Sequence, residues 1–216
     1  MKITRYGQSA ILIEEYKDTR ILIDPGRYCY GKTGLTPSDF SKIDILLLTH
    51  KHGDHCTPEA IKILLENNPT LLILGNSEVK EKLNSANLDC DVIAPGDTHE
   101  VNGITIKGVK QIHGDLPSGD PKPENIGFLI DDKLYHTGDT IYMEEKPHAD
   151  VLFVPICGKV VLDIPGAIRY AKEVQAKLII PIHYDNPAYP VDPQNFKNAA
   201  EGLNVRILGF GESVEF

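Results

Sequence analysis

The residues best suited to chemistry stand together in His50-Lys51-His52-Gly53-Asp54-His55. Three imidazoles and one carboxylate within six residues mix neutral nitrogen with anionic oxygen, the donor set that zinc and similar divalent ions take up. Chance would place this HxHxDH spacing in roughly one chain per thousand of this composition. Four donors in one short stretch exceed what a single tetrahedral ion readily accepts from one turn, so the spacing points to two ions side by side.

Such a motif needs a rigid element to carry it. Residues Asp44–Thr49 hold the apolar run Ile45-Leu46-Leu47-Leu48, which reads as a strand buried on both faces and ending at the motif. Thr57-Pro58-Glu59 then reads as a helix start, with Thr as cap, Pro in the first turn and Glu at the positive end of the helix dipole. Upstream, strands are expected at Lys2–Arg5, Ala10–Glu15 and Thr19–Asp24, followed by a Gly- and Pro-rich loop over 25–41. Downstream, the pattern predicts strands at Leu71–Leu74, Asp91–Ala94, His99–Val101, Ile104–Ile112, Ile126–Ile130 and Lys133–Thr137. Asp131-Asp132 reads as a tight hairpin turn between the last two. Strands at Val151–Pro155, Leu178–Ile182, Val205–Leu208 and Ser213–Phe216 complete the set. Helices are expected over 77–84, from Ile164 to Gln175 behind an Asp163 cap, and near Pro193–Glu201. Many strands with helices inserted in two places predict two packed sheets with helices outside, in one domain over residues 1–216.

The chain resembles the metallo-β-lactamase-fold hydrolase superfamily, whose first metal motif is HxHxDH after a buried strand. The likeness continues in His113 after a strand, in Tyr135-His136-Thr137-Gly138-Asp139-Thr140, and in Ile180-Pro181-Ile182-His183-Tyr184. It implies an α+β, four-layer αββα sandwich. It also implies that one metal is held by His50, His52 and His113 and the other by Asp54, His55 and His183, with Asp139 bridging them. Asp24 corresponds to a buried acid that tethers the HxHxDH loop. Within the superfamily the chain is most similar to a small cytosolic branch that includes L-ascorbate-6-phosphate lactonases. Met1–Pro25, Val154-Pro155-Ile156 and Gly211-Glu212 carry that likeness. Cys157-Gly158, where that branch more often has Gly-Gly, and the loop Gly114–Glu124 depart from it and leave the substrate contacts open.

The expected reaction is hydrolysis of a small ester or lactone, phosphorylated substrates included, by a hydroxide shared between two divalent ions. Zinc is the first choice, and manganese and iron suit the same donors. A phosphodiester is a compatible alternative substrate. Asp54 or Asp139 is placed to accept or orient the proton. His136 reads either as a residue near the site or as a packed strand residue. Tyr184, next to His183, is a candidate for contact with substrate, and Arg27, Tyr28, Tyr30 and Lys159 lie on loops expected to rim the cleft. Cys56 reads as a small buried residue rather than a nucleophile.

A second motif competes. Gly26 to Thr33 fits the GxxxxGK[ST] phosphate loop, but Gly34 and Pro37 follow at once and oppose the helix that such a loop must enter. A non-catalytic metal- or nucleotide-binding protein is the remaining alternative. Lys plus Arg number 22 against 31 Asp plus Glu, a net charge of −9, which argues against nucleic acid and anionic membrane as partners. The resemblance implies a small-molecule substrate, anionic where it is phosphorylated. A homo-oligomer stays open. The four scattered cysteines and the lack of an apolar leader or membrane-length run predict a cytoplasmic protein.

Overall fold

The computed structural model describes residues 1–30 and 34–216. Chain contacts divide it into two compact units, Met1–Ile93 with Leu208–Phe216, and Ala94–Ile207. Among the described residues there are two sheets and four α-helices.

The first unit is built on strands β1 (Lys2–Arg5), β2 (Ile11–Tyr16), β3 (Thr19–Ile23), β4 (Ile45–Leu48), β5 (Leu72–Gly75) and β6 (Asp91–Val92), with helices α1 (Pro58–Asn67) and α2 (Ser77–Asn84). A strand near the carboxyl terminus, Ser213–Glu215, returns to pair with Lys2–Thr4 and closes the sheet edge. β3, β4, β5 and β6 pair in parallel, so the ends of β3 and β4 bring Asp24 and Thr49-His50 to one side of the sheet. β4 is buried along its whole length, as its unbroken apolar run requires. Alternate side chains, Leu12, Leu22, Leu46, Leu48 and Ile73, pack with Ile61 and Leu64 of α1 and Val79 and Leu83 of α2. Each such side chain stabilises the unit by about 1.5–3 kcal/mol relative to an exposed position.

The second unit holds β7 (Thr98–Val101), β8 (Ile104–Ile112), β9 (Glu124–Ile130), β10 (Leu134–His136), β11 (Val151–Pro155) and β12 (Leu178–Ile182). Its helices are α3 (Ile164–Val174) and α4 (Pro193–Ala199), and Ser213–Glu215 is β13 of the first unit. β10, β11 and β12 run parallel, while β8 and β10 are both antiparallel to β9. The carboxyl ends of β8, β10 and β12 therefore emerge on one side, carrying His113, Asp139 and His183. Tyr135, Leu152, Val154 and Ile179 pack with Ala167, Tyr170, Ala171 and Val174 of α3 and Phe196 of α4.

Most expected elements form within two residues of their predicted bounds. Asp131 and Asp132 make the hairpin turn with φ of 50° and 54°, both left-handed, as a turn matched to strand twist demands. Asp163 caps α3 by accepting from Gly166 N at 2.8 Å. Three expectations fail. Val205–Leu208 is not a strand: Val205 makes one isolated bridge to Ile179, and 206–208 carry no strand pairing. Asp91–Ala94 shrinks to the two exposed residues of β6. Thr57 stands at the start of α1, but its hydroxyl donates backward to Gly53 O at 2.7 Å instead of capping the helix. The phosphate-loop reading falls partly on residues 31–33, outside the described residues. Beyond them the chain passes through Gly34 into a three-residue 3-10 turn, Pro37–Asp39, not an α-helix. No helix among the described residues is long and apolar enough to cross a membrane.

Candidate metal centre

In the first unit the HxHxDH loop leaves β4 and is held from below by Asp24. This aspartate is fully buried and lies in the left-handed region, φ 49°, a conformation that only its surroundings can maintain. Its carboxylate accepts from Thr49 N at 2.8 Å, from the Thr49 hydroxyl at 2.6 Å and from His55 Nδ1 at 2.8 Å. Because an ionised carboxylate only accepts, His55 carries its proton on Nδ1 and presents a lone pair at Nε2. The Thr49 proton is committed to Asp24, so at 3.1 Å its oxygen accepts from His50 Nδ1, which assigns the His50 lone pair to Nε2. His50 Nε2 lies 3.1 Å from His52 Nδ1, close to the ~3.3 Å that separates two nitrogens on one tetrahedral zinc. Asp54 Oδ2 lies 3.9 Å from His55 Nε2 and accepts from Gln8 Nε2 at 3.0 Å.

The loop fits only because of its neighbours. A Cβ on Gly26 would stand 1.9 Å from the Asp54 carbonyl carbon, so the strand-to-loop turn Asp24-Pro25-Gly26 admits no side chain there. Arg27 N donates to Gly53 O at 2.9 Å. Lys82 of α2 spans the motif: its ammonium donates to Lys51 O at 2.6 Å and to Cys56 O at 2.7 Å, one on each side of the segment His52–His55.

In the second unit His113 donates from Nδ1 to Gly114 O at 2.8 Å, which again leaves Nε2 as the lone-pair nitrogen. Its Nε2 is 3.6 Å from Asp139 Oδ2, and His183 Nε2 is 2.9 Å from the same oxygen. All three residues are buried. Burial would lower the pKa of His183, but the adjacent Asp139 carboxylate and Cys157 together outweigh it and raise the pKa to about 10. Asn125 braces the Asp139 turn by donating from one amide nitrogen to Thr137 O at 3.3 Å and to Asp139 O at 2.8 Å. Behind it, Thr140 bonds to Gln111, which meets the hydroxyls of Tyr135 and Tyr170 in a buried network.

The other expected site residues take varied positions. His136 is fully buried in β10, its ring 5.7 Å from that of Phe153, and its Nδ1 accepts from Gly138 N at 3.2 Å. That geometry supports the turn bearing Asp139. Tyr184 is mostly buried in the apolar cluster with Val154 and Phe196. Cys56 is fully buried and its thiol is pushed up to about 12 by that burial, partly offset by Lys82, so it offers no thiolate at neutral pH. Tyr30 turns inward against Phe40 and does not rim a cleft, whereas Arg27 and Lys159 are exposed. Sequence reading missed Gln8, Thr49, Lys82 and Asn125. None lies in a motif of its own, and each bonds to a partner 14 or more residues away.

Comparison with known proteins agrees with this architecture. The profile of the family described as "Beta-lactamase superfamily domain" matches residues 2–183. A metal-dependent hydrolase of Alkaliphilus metalliredigens is 32% identical, with 100% of each chain covered. Igni18, a metallo hydrolase of Ignicoccus hospitalis, superposes with a TM-score of 0.82 at 25% identity, covering 100% of this chain and 98% of the other. The metallo-β-lactamase-fold protein YhfI of Bacillus subtilis superposes at 0.77 with 21% identity over 99% of both chains, and shows the fold alone.

Proposed function

The chain belongs to the β-lactamase superfamily, and from that premise we propose that it is a metal-dependent hydrolase whose two histidine–aspartate sets are the halves of one dinuclear centre. In this reading His50, His52 and His113 would hold one ion, Asp54, His55 and His183 would hold the other, and Asp139 would be shared between them. The two units then act together as one hydrolase domain over residues 1–216. The observation that carries the reading is the fixed direction of three imidazoles. His50, His55 and His113 each have Nδ1 committed to an acceptor, so each offers Nε2, the arrangement usual for metal-bound histidine.

Bound divalent ions would supply Lewis acidity and lower the pKa of water toward neutrality. The chain's own residues do the rest. Asp24 and Thr49 keep the His50 and His55 rings from rotating. Asp54 and Asp139 are the carboxylates placed to accept the proton released when water attacks the substrate. Asn125 and His136 hold the turn that presents Asp139. Zinc is the proposed ion, and the proposed substrate is a small anionic ester or lactone in the cytoplasm, phosphorylated lactones being the first to assay.

Elemental analysis of tag-free protein purified without chelator tests the reading directly: about two transition-metal ions per chain are expected. Asp139→Ala should keep the fold and abolish hydrolysis across a panel of lactones, esters and phosphodiesters. Protein that takes up no ion even after reconstitution with zinc and manganese would overturn the assignment.

A further inference from the structure

The hairpin between β1 and β2 is an unusual place for a glutamine. Tyr6 N donates to Ala10 O at 2.8 Å and Ala10 N to Gly7 O at 2.9 Å, so the turn is tight. Gly7 and Gln8 have φ of 85° and 46°. Glycine accepts this freely, and at position 7 it is required, because a Cβ would meet Tyr28 O at 2.9 Å. For Gln8 the left-handed conformation is unfavourable and must be imposed. Arg5 supplies the restraint. It is 1% exposed, and its guanidinium donates to Gln8 O and to Leu208 O, each at 3.3 Å.

This strained, buried turn faces the candidate metal centre. The Gln8 side chain, also 1% exposed, aims its amide at the HxHxDH loop and donates from Nε2 to Asp54 Oδ2 at 3.0 Å. A neutral amide is a telling choice of donor. Lysine or arginine there would form an ion pair and compete with a cation for the carboxylate. An amide fixes the rotation of the group and leaves its charge available.

We infer that Gln8 is a positioning residue of the metal centre: through its hydrogen bond it sets the rotation of the Asp54 carboxylate for the ion that Asp54, His55 and His183 would hold. The inference rests on the dinuclear reading above, and the experiment separates the two. Zinc alone is titrated against a chromogenic chelator with wild type, Gln8→Met and Gln8→His. Met keeps the length and removes the donor. His restores an N–H donor and tolerates the left-handed conformation. Gln8→Met should bind one of its two ions about 10- to 100-fold more weakly and the other with unchanged affinity. The cobalt-substituted protein should show an altered visible spectrum, and the metal-free unfolding midpoint should stay within ~3 °C of wild type. Gln8→His should recover at least part of the lost affinity. Equal affinity of Gln8→Met and wild type at both sites overturns the inference. So does an equal loss at both sites with a lowered metal-free midpoint, since that is the mark of a structural role alone. Wild-type protein that binds no zinc would instead overturn the dinuclear reading itself.

Discussion

Asp24→Asn isolates the device that holds the HxHxDH loop. The substitution preserves shape and removes one acceptor. Asp24 meets three donors, Thr49 N, Thr49 Oγ1 and His55 Nδ1, and an asparagine oxygen can face only one side of them. If the oxygen faces Thr49 N, the NH2 group faces the His55 ring. Nδ1 must then become the acceptor, and the proton moves to Nε2, where it blocks an ion. If the oxygen faces His55, the NH2 group meets the Thr49 N–H donor to donor. Each arrangement loses a hydrogen bond to a charged group, worth about 1.5–3 kcal/mol in a fully buried setting. Taking about 3 kcal/mol, a large share of a typical 5–15 kcal/mol stability, the metal-free unfolding midpoint should fall by about 6–12 °C for a chain of this size. Zinc affinity should fall about 10- to 100-fold, because the ligand tautomer is no longer enforced. Differential scanning calorimetry on chelated protein and zinc competition on folded protein check the two effects separately. A variant with a midpoint within ~2 °C of wild type and unchanged zinc affinity would refute the tautomer argument on which the proposed function stands.

Three further outcomes are expected. Lys82→Met removes the ammonium that ties the Lys51 and Cys56 carbonyls, so amide hydrogen exchange over 51–56 should quicken and zinc should dissociate faster, while Lys82→Arg should be milder. Gly26→Ala places a methyl 1.9 Å from backbone of Asp54, so the protein should be recovered unfolded or without metal, as circular dichroism and elemental analysis would show. Hydrogen bonds from Lys146 and Tyr142, joined by Arg169, hold Glu173 down to about 2 from an ordinary 4.5. A depressed carboxylate stabilises fully above its unfolded pKa and loses that contribution as pH falls through the folded one. The midpoint of metal-free protein should therefore decline from pH 4.5 toward 2 more steeply in wild type than in Glu173→Gln.

The four candidate ligands of the first motif were legible because their signal is local. HxHxDH is contiguous, and the strand ahead of it announces itself by four successive buried aliphatic residues. His113, Asp139 and His183 are weak signals one by one and became readable only through resemblance to a family. The helix start at Asp163 obeys side-chain chemistry that acts over three residues, and the structure shows the same chemistry at Asn76 over three residues and at Asp192 over two. Thr57 broke the same rule because a stronger local demand, the carbonyl of Gly53, claimed its hydroxyl. Val205–Leu208 has strand composition but gained only one bridge, since pairing depends on where the neighbouring edge runs and not on propensity.

What the sequence determined by itself was the kind of chemistry: donors of nitrogen and oxygen at the end of a buried strand, in a chain whose acidic balance disfavours nucleic acid. What the tertiary structure alone decided was which nitrogen His50, His55 and His113 offer and how the carboxylates of Asp24 and Asp54 are turned. Asp24 reaches His55 across 31 residues, Gln8 reaches Asp54 across 46, and Lys82 reaches back over 31 to Lys51. Hydrogen bonds of that span leave no periodicity and no motif, because they depend on strand order and turn geometry, and these exist only once the chain has folded.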